Sequence, residues 1–335
     1  MMAHSYDVEL LSLPGTAVEK EWLAEHLEVL SVKEGIVLSA AMAREPPQDM
    51  AEAVNCLLSL DDYEVRGHVG NYAGLGERFL FEKCVPQDQQ AYFDLTALGE
   101  LYEDQHPGLF IKNCYVEYPG NRPLVYYDGR NLPESDVGDW SVRLKLASEA
   151  VPEGVWLRLP DHNELNEDGP GEFRLALDEL RVKTIQDCTL LDARCILPCV
   201  QDLASQYENL ADLIYDGQEL GILMAEGKSW FPEQFAAALE FENCRRLDDA
   251  VNIAGNLGSY DIISRDKFLD KVTDELSGQA WAKGGDAVKG CFDYAAYAAA
   301  LAKQRGYQVT GDEGYYIRKR DSPEMEQRQD GMTLQ

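Results

Sequence analysis

The segment AVNCLLSLDDY at residues 53–63 recurs as AVNIAGNLGSY at residues 250–260. Ala, Val, Asn, Leu and Tyr match in register at an offset of 197 residues. Self-similarity of this kind is typical of a chain in which one supersecondary unit occurs twice. The fold is therefore expected to contain two copies of the same unit, one in each half of the chain.

The match continues downstream while the offset drifts only from 197 to 200, at Phe93-Asp94 and Phe292-Asp293, Gly108 and Gly306, and Tyr115 and Tyr315. Asp94 and Asp293 each precede a segment with helical apolar spacing, and Asp is a favoured N-cap residue. Gly108 and Gly306 follow that segment and suit a C-cap turn. Each copy is therefore predicted to end in a helix followed by a hairpin.

A weaker match lies upstream of each copy. Leu13-Pro14 follows the apolar run Val8–Leu11, and Leu159-Pro160 follows Val155–Leu157. Each Leu-Pro precedes a segment with helical spacing and then a strand-like apolar run, which is Gly35–Met42 in one copy and Thr189–Leu197 in the other. This pattern predicts a strand-helix-strand module at the start of each copy.

The expected fold class is α+β, an elongated chain of small modules with two homologous halves. The second half carries an insertion, Gln201 to Arg246, that is predicted to form two helices, Leu203–Met224 and Pro232–Cys244. The predicted boundaries are a first half at 1–118, a linker with a short strand at Leu124–Tyr127 in 119–138, a second sheet module at 139–200, helical modules at 201–318 and a disordered tail at 319–335.

The chain is strongly acidic, with 60 Asp and Glu against 30 Lys and Arg and a formal net charge of -30. Such a charge disfavours direct nucleic-acid binding, which needs cations to neutralise phosphates, and favours a basic protein partner. No run approaches the roughly 20 apolar residues of a membrane helix, and no signal peptide is visible in the sequence. A cytoplasmic protein without membrane contact is expected.

The acids are interleaved with apolar residues along the whole chain, which places them on folded elements and not in an acidic tail. Acids one helical turn apart project carboxylates about 6 Å apart, a spacing that could imitate rows of DNA phosphates. The alternative interpretation is an ordinary solvated acidic surface. The residues predicted to form the partner-binding surface are Glu21, Glu25, Glu28, Asp61, Asp62, Glu64, Glu100, Glu103, Asp104, Asp212, Asp216, Glu219 and Glu226.

Motifs for catalysis are absent from the sequence. The five histidines are isolated, and no P-loop, GxSxG or HExxH motif occurs. Cys188, Cys195 and Cys199 lack a CxxC pair or a nearby histidine, so buried reduced thiols are expected there and not a metal site. A Cys/His pair brought together only by folding stays open as an alternative. The chain is predicted to be a non-enzyme without catalytic residues, cofactor or metal.

Three features together resemble the ArdA antirestriction family. They are the turn Leu13-Pro14-Gly15-Thr16 before an amphipathic helix, the repeated segment at 53–63 and 250–260, and the terminal run from Phe292 to Tyr316. The resemblance covers most of residues 5–118 and 139–318. ArdA proteins are elongated, acidic, modular dimers that imitate bent B-form DNA and occupy the DNA site of Type I restriction-modification enzymes.

The resemblance implies an acidic DNA mimic that inhibits a DNA-binding host defence enzyme of this type. The chain departs from the family by being about twice as long, with two unequal copies. A duplicated chain could replace a homodimer, still form one, or serve another target such as a CRISPR effector. The rival hypothesis from a different class is an acidic scaffold or adaptor protein of a mobile element.

The strung-out arrangement of modules predicts the radius of gyration in solution. A compact chain of this length should have a value of about 20 Å. We expect small-angle scattering to give a clearly larger value, because the modules are placed lengthwise. A value at the compact limit would contradict the elongated architecture and the duplex imitation that depends on it.

Overall fold

A computed structural model describes residues 7–90, 92–120, 125–133, 140–161, 171–227, 231–277, 292–310 and 314–320. The fold is α+β and built from small modules, as predicted. The described strands form three antiparallel sheets of three strands each. The predicted tail, apart from Lys319 and Arg320, lies outside the described residues.

The helices are α1 Asp7–Leu11, α2 Ala17–Glu28, α3 Val32–Arg44, α4 Met50–Leu58, α5 Tyr72–Glu82, α6 Gln87–Gln90, α7 Leu95–Gln105, α8 Glu172–Leu180, α9 Leu203–Gln206, α10 Leu210–Glu226, α11 Phe231–Phe241, α12 Leu247–Gly255, α13 Arg265–Ser277 and α14 Tyr294–Gln304. The strands are β1 Glu64–Gly67, β2 Gly108–Ile111, β3 Cys114–Glu117, β4 Val142–Ala147, β5 Val155–Leu159, β6 Thr189–Cys195, β7 Tyr260–Ser264, β8 Gln308–Thr310 and β9 Tyr315–Lys319.

The chain divides into two compact units. Unit 1 comprises residues 1–196 and 207–218, and unit 2 comprises residues 197–206 and 219–335. This division differs from the predicted boundaries, because the sheet β4–β6 belongs to the same unit as the first half. The segment 125–133, inside the predicted linker, is also part of unit 1. There the Asn55 side chain accepts hydrogen bonds from the backbone N–H groups of Tyr126 and Tyr127.

The repeat corresponds to two modules of the same construction. Module 1 is residues 50–117 and module 2 is residues 247–319. Each begins with a helix, α4 or α12, continues through a 3-10 turn into a strand, and ends with a helix and two strands. The sheet orders are β1-β3-β2 and β7-β9-β8, so the last strand lies in the middle in both. The sequence match at residues 53–63 and 250–260 therefore marks equivalent structure.

The predicted helix caps are confirmed at three of four positions. The Asp94 carboxylate accepts from the backbone N–H groups of Thr96 and Ala97, and the Asp293 carboxylate accepts from that of Ala296. Gly306 follows α14 with φ of +81°, the left-handed conformation that suits glycine. Gly108 is not a cap. It is the first residue of β2, since α7 ends at Gln105 and the chain enters the strand directly.

The predicted match of Tyr115 with Tyr315 is wrong by one residue. In module 1 Tyr115 pairs with Arg66, the third residue after Tyr63. In module 2 the third residue after Tyr260 is Ile263, and its partner is Tyr316. Both Tyr115 and Tyr316 are buried in the cores of their modules. The error arose because consecutive tyrosines at 315 and 316 offered two alignments, and strand alternation selects the inward one.

Across the sheet the two modules place different charges at equivalent positions. In module 1 Glu64 lies opposite Glu117, and Arg66 forms ion pairs with both. In module 2 the equivalent pair is Asp261 opposite Arg318, joined by an ion pair of 3.0 Å between Oδ2 and Nη2. The same cross-strand position is therefore occupied by two acids in module 1 and by an acid and a base in module 2.

The predicted strands at the start of the first half are helices. Val8–Leu11 lies in α1, and Gly35–Met42 lies inside α3. Helix α3 is buried over nearly all of its circumference, so its apolar residues form a continuous run without helical period. A short run of that kind is equally compatible with a buried strand. The capping box formed by Ser31 and Glu34 is the local signal that starts the helix.

The second copy contains the predicted order of strand, helix and strand. Strands β5 and β6 flank helix α8 along the chain, and with β4 they form an antiparallel sheet of order β5-β4-β6. In the following insertion, Leu203–Met224 is two helices, α9 and α10, and not one. Pro232 lies in the first turn of α11, as expected. Residues 125–127 form no strand.

A buried ion network joins this sheet to α3 in unit 1. Glu34 Oε2 and Oε1 accept from Arg143 Nη1 at 2.9 Å and Nη2 at 3.1 Å, and Oε1 also accepts from Arg158 Nη1 at 3.1 Å. Arg158 Nη2 donates to Asp61 Oδ1 at 2.6 Å. Although burial opposes ionisation, the charges of Arg143 and Arg158 lower the pKa of Glu34 to about 2. The network thus fixes α3 and the turn at Asp61 on strands β4 and β5.

Glu172, at the start of α8, is the weak member of this network. Its side chain is buried, and within the described residues neither carboxylate oxygen accepts a hydrogen bond of normal geometry. Its ion pair in the described part of the chain is with Arg158, whose Nε lies 3.6 Å from Oε1. Burial raises the pKa of Glu172 to about 7, the Glu34 carboxylate acts in the same direction, and Arg158 opposes both. At alkaline pH the fold therefore holds a poorly compensated buried charge.

The two glutamates should respond oppositely to pH. Glu172 binds its proton more tightly in the folded chain, so its contribution to stability is lost as pH rises toward 7. We expect Glu172→Gln to raise the free energy of unfolding by about 1–3 kcal/mol at about pH 8 and to change little at about pH 5.

The matched control is Glu34→Gln. This variant should lower the free energy of unfolding by about 3–5 kcal/mol at about pH 8, because two buried arginines lose a carboxylate partner. Since the folded pKa of Glu34 is depressed, this cost should shrink as pH falls below 4.5 toward 2. Thermal unfolding of both variants at several pH values is the measurement. Equal pH dependence in the two variants would contradict this account.

Candidate protein-binding surface

Helix α2 carries three of the predicted surface acids on its solvent side. Thr16 and Glu19 form a capping box that starts the helix, and Trp22, Leu23 and Leu27 are buried. Glu21, Glu25 and Glu28 are exposed, and none of them has a hydrogen bond or ion pair within the described residues. Their spacing of three and four residues places them on one stripe of the helix. Unit 1 therefore presents an uncompensated carboxylate stripe.

The three predicted acids around the 3-10 turn of module 1 are engaged internally. Asp61 forms the ion pair with buried Arg158, although its own side chain is 58% exposed. Asp62 accepts a hydrogen bond from the Tyr126 hydroxyl at 2.9 Å. Glu64 pairs with Arg66 at 2.9 Å. The arginines partly neutralise Asp61 and Glu64, so these two acids contribute structure as well as surface charge.

Helix α7 brings three predicted acids close together near its C-terminal end. Glu100 and Asp104 are exposed, and Glu103 is half-buried. Glu103 Oε2 accepts from the Tyr72 hydroxyl at 2.7 Å, and this hydrogen bond raises the pKa of Tyr72. Carboxylates at the negative end of a helix dipole oppose the dipole. This placement costs helix stability, and it concentrates negative potential at one corner of module 1.

Helix α10 carries the remaining four predicted acids. Its apolar side buries Leu213 and Leu220. Asp212 is exposed, and Asp216 accepts from the Tyr207 hydroxyl at 2.6 Å. Glu219 and Glu226, which belong to unit 2, have no hydrogen bond or ion pair within the part of the chain that is described. The predicted acids therefore divide into free carboxylates and carboxylates used by the fold.

Sequence reasoning missed the basic residues that organise unit 1. Arg143 and Lys145 alternate with Val142, Leu144 and Leu146 along β4, and Arg158 occupies the matching face of β5. Strict alternation of this kind places cations on one face of a strand. The sequence alone would have allowed this prediction. Their carboxylate partners Glu34 and Asp61 come from elements far away in sequence. That pairing could not be read from local pattern.

An open groove of about 530 Å³ lies in unit 1 beside α3 and α4. Its lining includes Arg44, Asn55, Cys56 and Tyr63. Burial raises the pKa of Cys56 to about 11 and that of Tyr63 to about 12, so both stay protonated at neutral pH. Neither group is an activated nucleophile in this setting. The seven cysteines within the described residues are free thiols, and Cys291 lies outside them.

Comparisons with protein-family models, curated proteins and solved structures found no match for this chain. Among the described helices, none combines the length and apolar character needed to cross a bilayer.

The division of acids into free and engaged groups predicts different effects on stability. Glu21→Gln, Glu25→Gln and Glu28→Gln together should change the free energy of unfolding by less than about 1 kcal/mol. Asp61→Asn should lower it by about 1–2 kcal/mol, because buried Arg158 loses its shortest carboxylate contact. Urea unfolding of both variants tests this. A triple variant that is less stable than the single one would refute the assignment of α2 as a free surface.

Proposed function

We propose that this chain is an acidic DNA mimic that binds a DNA-binding host defence enzyme, in the first place a Type I restriction-modification enzyme, and occupies its DNA site. The observation that carries the proposal is the set of solvent-facing carboxylates on folded elements, foremost Glu21, Glu25 and Glu28 on α2. A net charge of -30 supports it, since a basic DNA-binding cleft attracts such a surface. No catalytic role or cofactor is part of the proposal.

Helical carboxylates at one-turn spacing could stand in for phosphates. Duplex DNA carries one charge per about 1.7 Å of axis, in two rows. Carboxylates about 6 Å apart along a helix match the spacing of successive phosphates on one strand in order of magnitude. Because the helix backbone is already ordered, binding costs rotamer entropy of the glutamate side chains but little backbone entropy. The ArdA resemblance favours this use of the acids, and action in the cytoplasm follows from the proposed target.

Module 1 is the better candidate for the main contact. Residues 46–118 hold 13 acids and 4 bases, whereas residues 247–318 hold 11 acids and 8 bases. Helix α7 carries Glu100, Glu103 and Asp104, while the equivalent helix α14 is rich in alanine. A target that recognises negative charge should therefore contact module 1 and the α2 stripe more strongly than module 2.

The rival functions are an acidic scaffold of a mobile element and an inhibitor of a CRISPR effector. A scaffold would bind partners without displacing DNA from them. A CRISPR effector inhibitor would displace DNA from that complex and leave Type I enzymes unaffected. Both rivals use the same acidic surface, so only the choice of target and competition with DNA separate them.

Competition with DNA is the decisive experiment. We expect the chain to release a labelled duplex from a purified Type I methyltransferase, and to bind the enzyme several-fold more weakly when salt rises from about 50 to about 300 mM. Release from a CRISPR effector alone would favour that rival. Simultaneous binding of DNA and chain, or a flat salt response, would refute mimicry.

Variants of equal charge test which surface is used. Glu21→Gln, Glu25→Gln and Glu28→Gln together should weaken inhibition about threefold to tenfold, because exposed charges each contribute little. The control triple, Glu149→Gln, Glu153→Gln and Glu208→Gln, changes the net charge equally at other exposed positions. Equal loss in both triples would indicate general attraction and not a defined contact surface.

A further inference from the structure

Three arginines lie directly opposite one another across the sheet β5-β4-β6. Arg143 in β4 pairs in register with Arg158 in β5 and with Arg194 in β6. Like charges in directly opposed positions are destabilising unless anions compensate them. Glu34 and Asp61 compensate Arg143 and Arg158. Arg194, on the other side of the row, receives no buried carboxylate from the described part of the chain.

Arg194 is instead open to solvent. Its side chain is 44% exposed, and its only ion pair within the described residues is a contact of 3.7 Å between its Nε and Asp192 Oδ2. Asp192 is also committed elsewhere, because its Oδ1 accepts from the Ala193 backbone N–H at 2.8 Å. The third position of the arginine row is therefore incompletely neutralised.

Lys145 adds a second cation beside Arg194. It lies two residues after Arg143 on the same face of β4, and it is half-buried. Lys145 has no ion pair within the described residues, although Asp192 is its partner in strand register. Lys145 Nζ and Arg194 Cζ lie 5.9 Å and 5.1 Å from the centre of the Trp156 ring. Two cations thus gather around one buried indole in an otherwise acidic chain.

Strand β6 beside these cations has a backbone edge that no other described strand covers. The strand has seven residues and, among the described strands, pairs only with β4. A register shift between Lys145 and Leu146 leaves Leu191 as an extra residue, and its side chain is half-exposed. Bulges of this kind redirect a side chain at a sheet edge. The edge therefore offers main-chain groups, an apolar side chain and two cations together.

We infer that the β6 edge binds an extended acidic segment of a partner protein. The segment adds a strand through main-chain hydrogen bonds to β6, and its carboxylates pair with Arg194 and Lys145. An apolar residue of the segment packs on Leu191. Since the rest of the chain repels anions, affinity depends on these two cations and not on overall charge. This contact is separate from the acidic surface of the proposed function and does not require it.

Edge protection is the competing explanation. Charged residues and bulges on an edge strand also prevent edge-to-edge aggregation. The two explanations differ in what happens when the cations are removed. If the edge is a docking site, removal of the cations abolishes ligand binding and the chain stays monodisperse. If the cations protect the edge, their removal causes self-association.

The test uses a capped, fluorescein-labelled peptide of about seven residues in which glutamate and valine alternate. We expect saturable binding by fluorescence anisotropy, together with slower amide hydrogen exchange at residues 189–195 in the complex. Lys145→Glu with Arg194→Glu should weaken binding at least tenfold, and Lys145→Arg should preserve it. A peptide with lysine in place of glutamate should not protect β6.

The matched control is Lys267→Glu with Lys271→Glu on α13, which changes the net charge equally at exposed positions outside this sheet. This control should bind the peptide nearly as well as the parent chain. Three outcomes would overturn the proposal. They are equal loss of peptide binding in both double variants, absence of peptide binding to the parent chain, and protection of β6 by oligothymidylate but not by the peptide. Self-association of the Lys145/Arg194 variant without any peptide binding by the parent chain would establish edge protection instead. Hydrogen exchange on the parent chain keeps the test valid if the double variant is poorly folded.

Discussion

The Glu34 carboxylate connects helix α3 to strands β4 and β5 in unit 1. It caps helix α3 through the Ser31 backbone N–H and accepts from two arginines on neighbouring strands. A buried carboxylate with this many donors stays ionised, and removal of any partner leaves an uncompensated charge. The position of α3, the turn at Asp61 and the sheet β4–β6 all depend on this group. The bidentate contact of Glu34 with Arg143 is directional, so it specifies how α3 is oriented on strand β4.

Charged side chains in the interior of unit 1 differ from those on its surface in whether they have ion-pair partners. Arg143, Arg158 and Arg66 are bound by carboxylates and largely removed from solvent. The free acids on α2, by contrast, form no ion pair with any cation in the described part of the chain. Within the described residues of unit 1, these buried arginines are therefore compensated by carboxylates, whereas the exposed acids on α2 are not. That difference is the physical basis for expecting a basic partner.

Local signals in the sequence predicted much of the fold. Asp94 and Asp293 marked two helix starts, and the match between residues 53–63 and 250–260 identified two modules of the same topology. Prediction failed at α3, because a helix buried on all sides has no amphipathic period. It also failed for the tyrosine pair, where two adjacent tyrosines allowed two registers.

The candidate surface was predictable only in part. Exposure of Glu21, Glu25 and Glu28 followed from helical spacing around Trp22 and Leu23. The internal use of Asp61 and Asp62 did not, since their partners Arg158 and Tyr126 lie 97 and 64 residues further along the chain and meet them only after folding. Long-range pairing of this kind leaves no periodic trace in the sequence.

The cross-strand pairs of the two modules bear on how the sequence of such a chain can evolve. Module 1 holds Glu64 opposite Glu117, and Arg66 forms ion pairs with both, whereas module 2 holds Asp261 opposite Arg318. Both arrangements satisfy the strand pairing, so the backbone accepts a reversal of sign at the same site. Duplication then leaves two surfaces on which mutations accumulate independently, and one can drift toward a new binding preference while its twin preserves the old one.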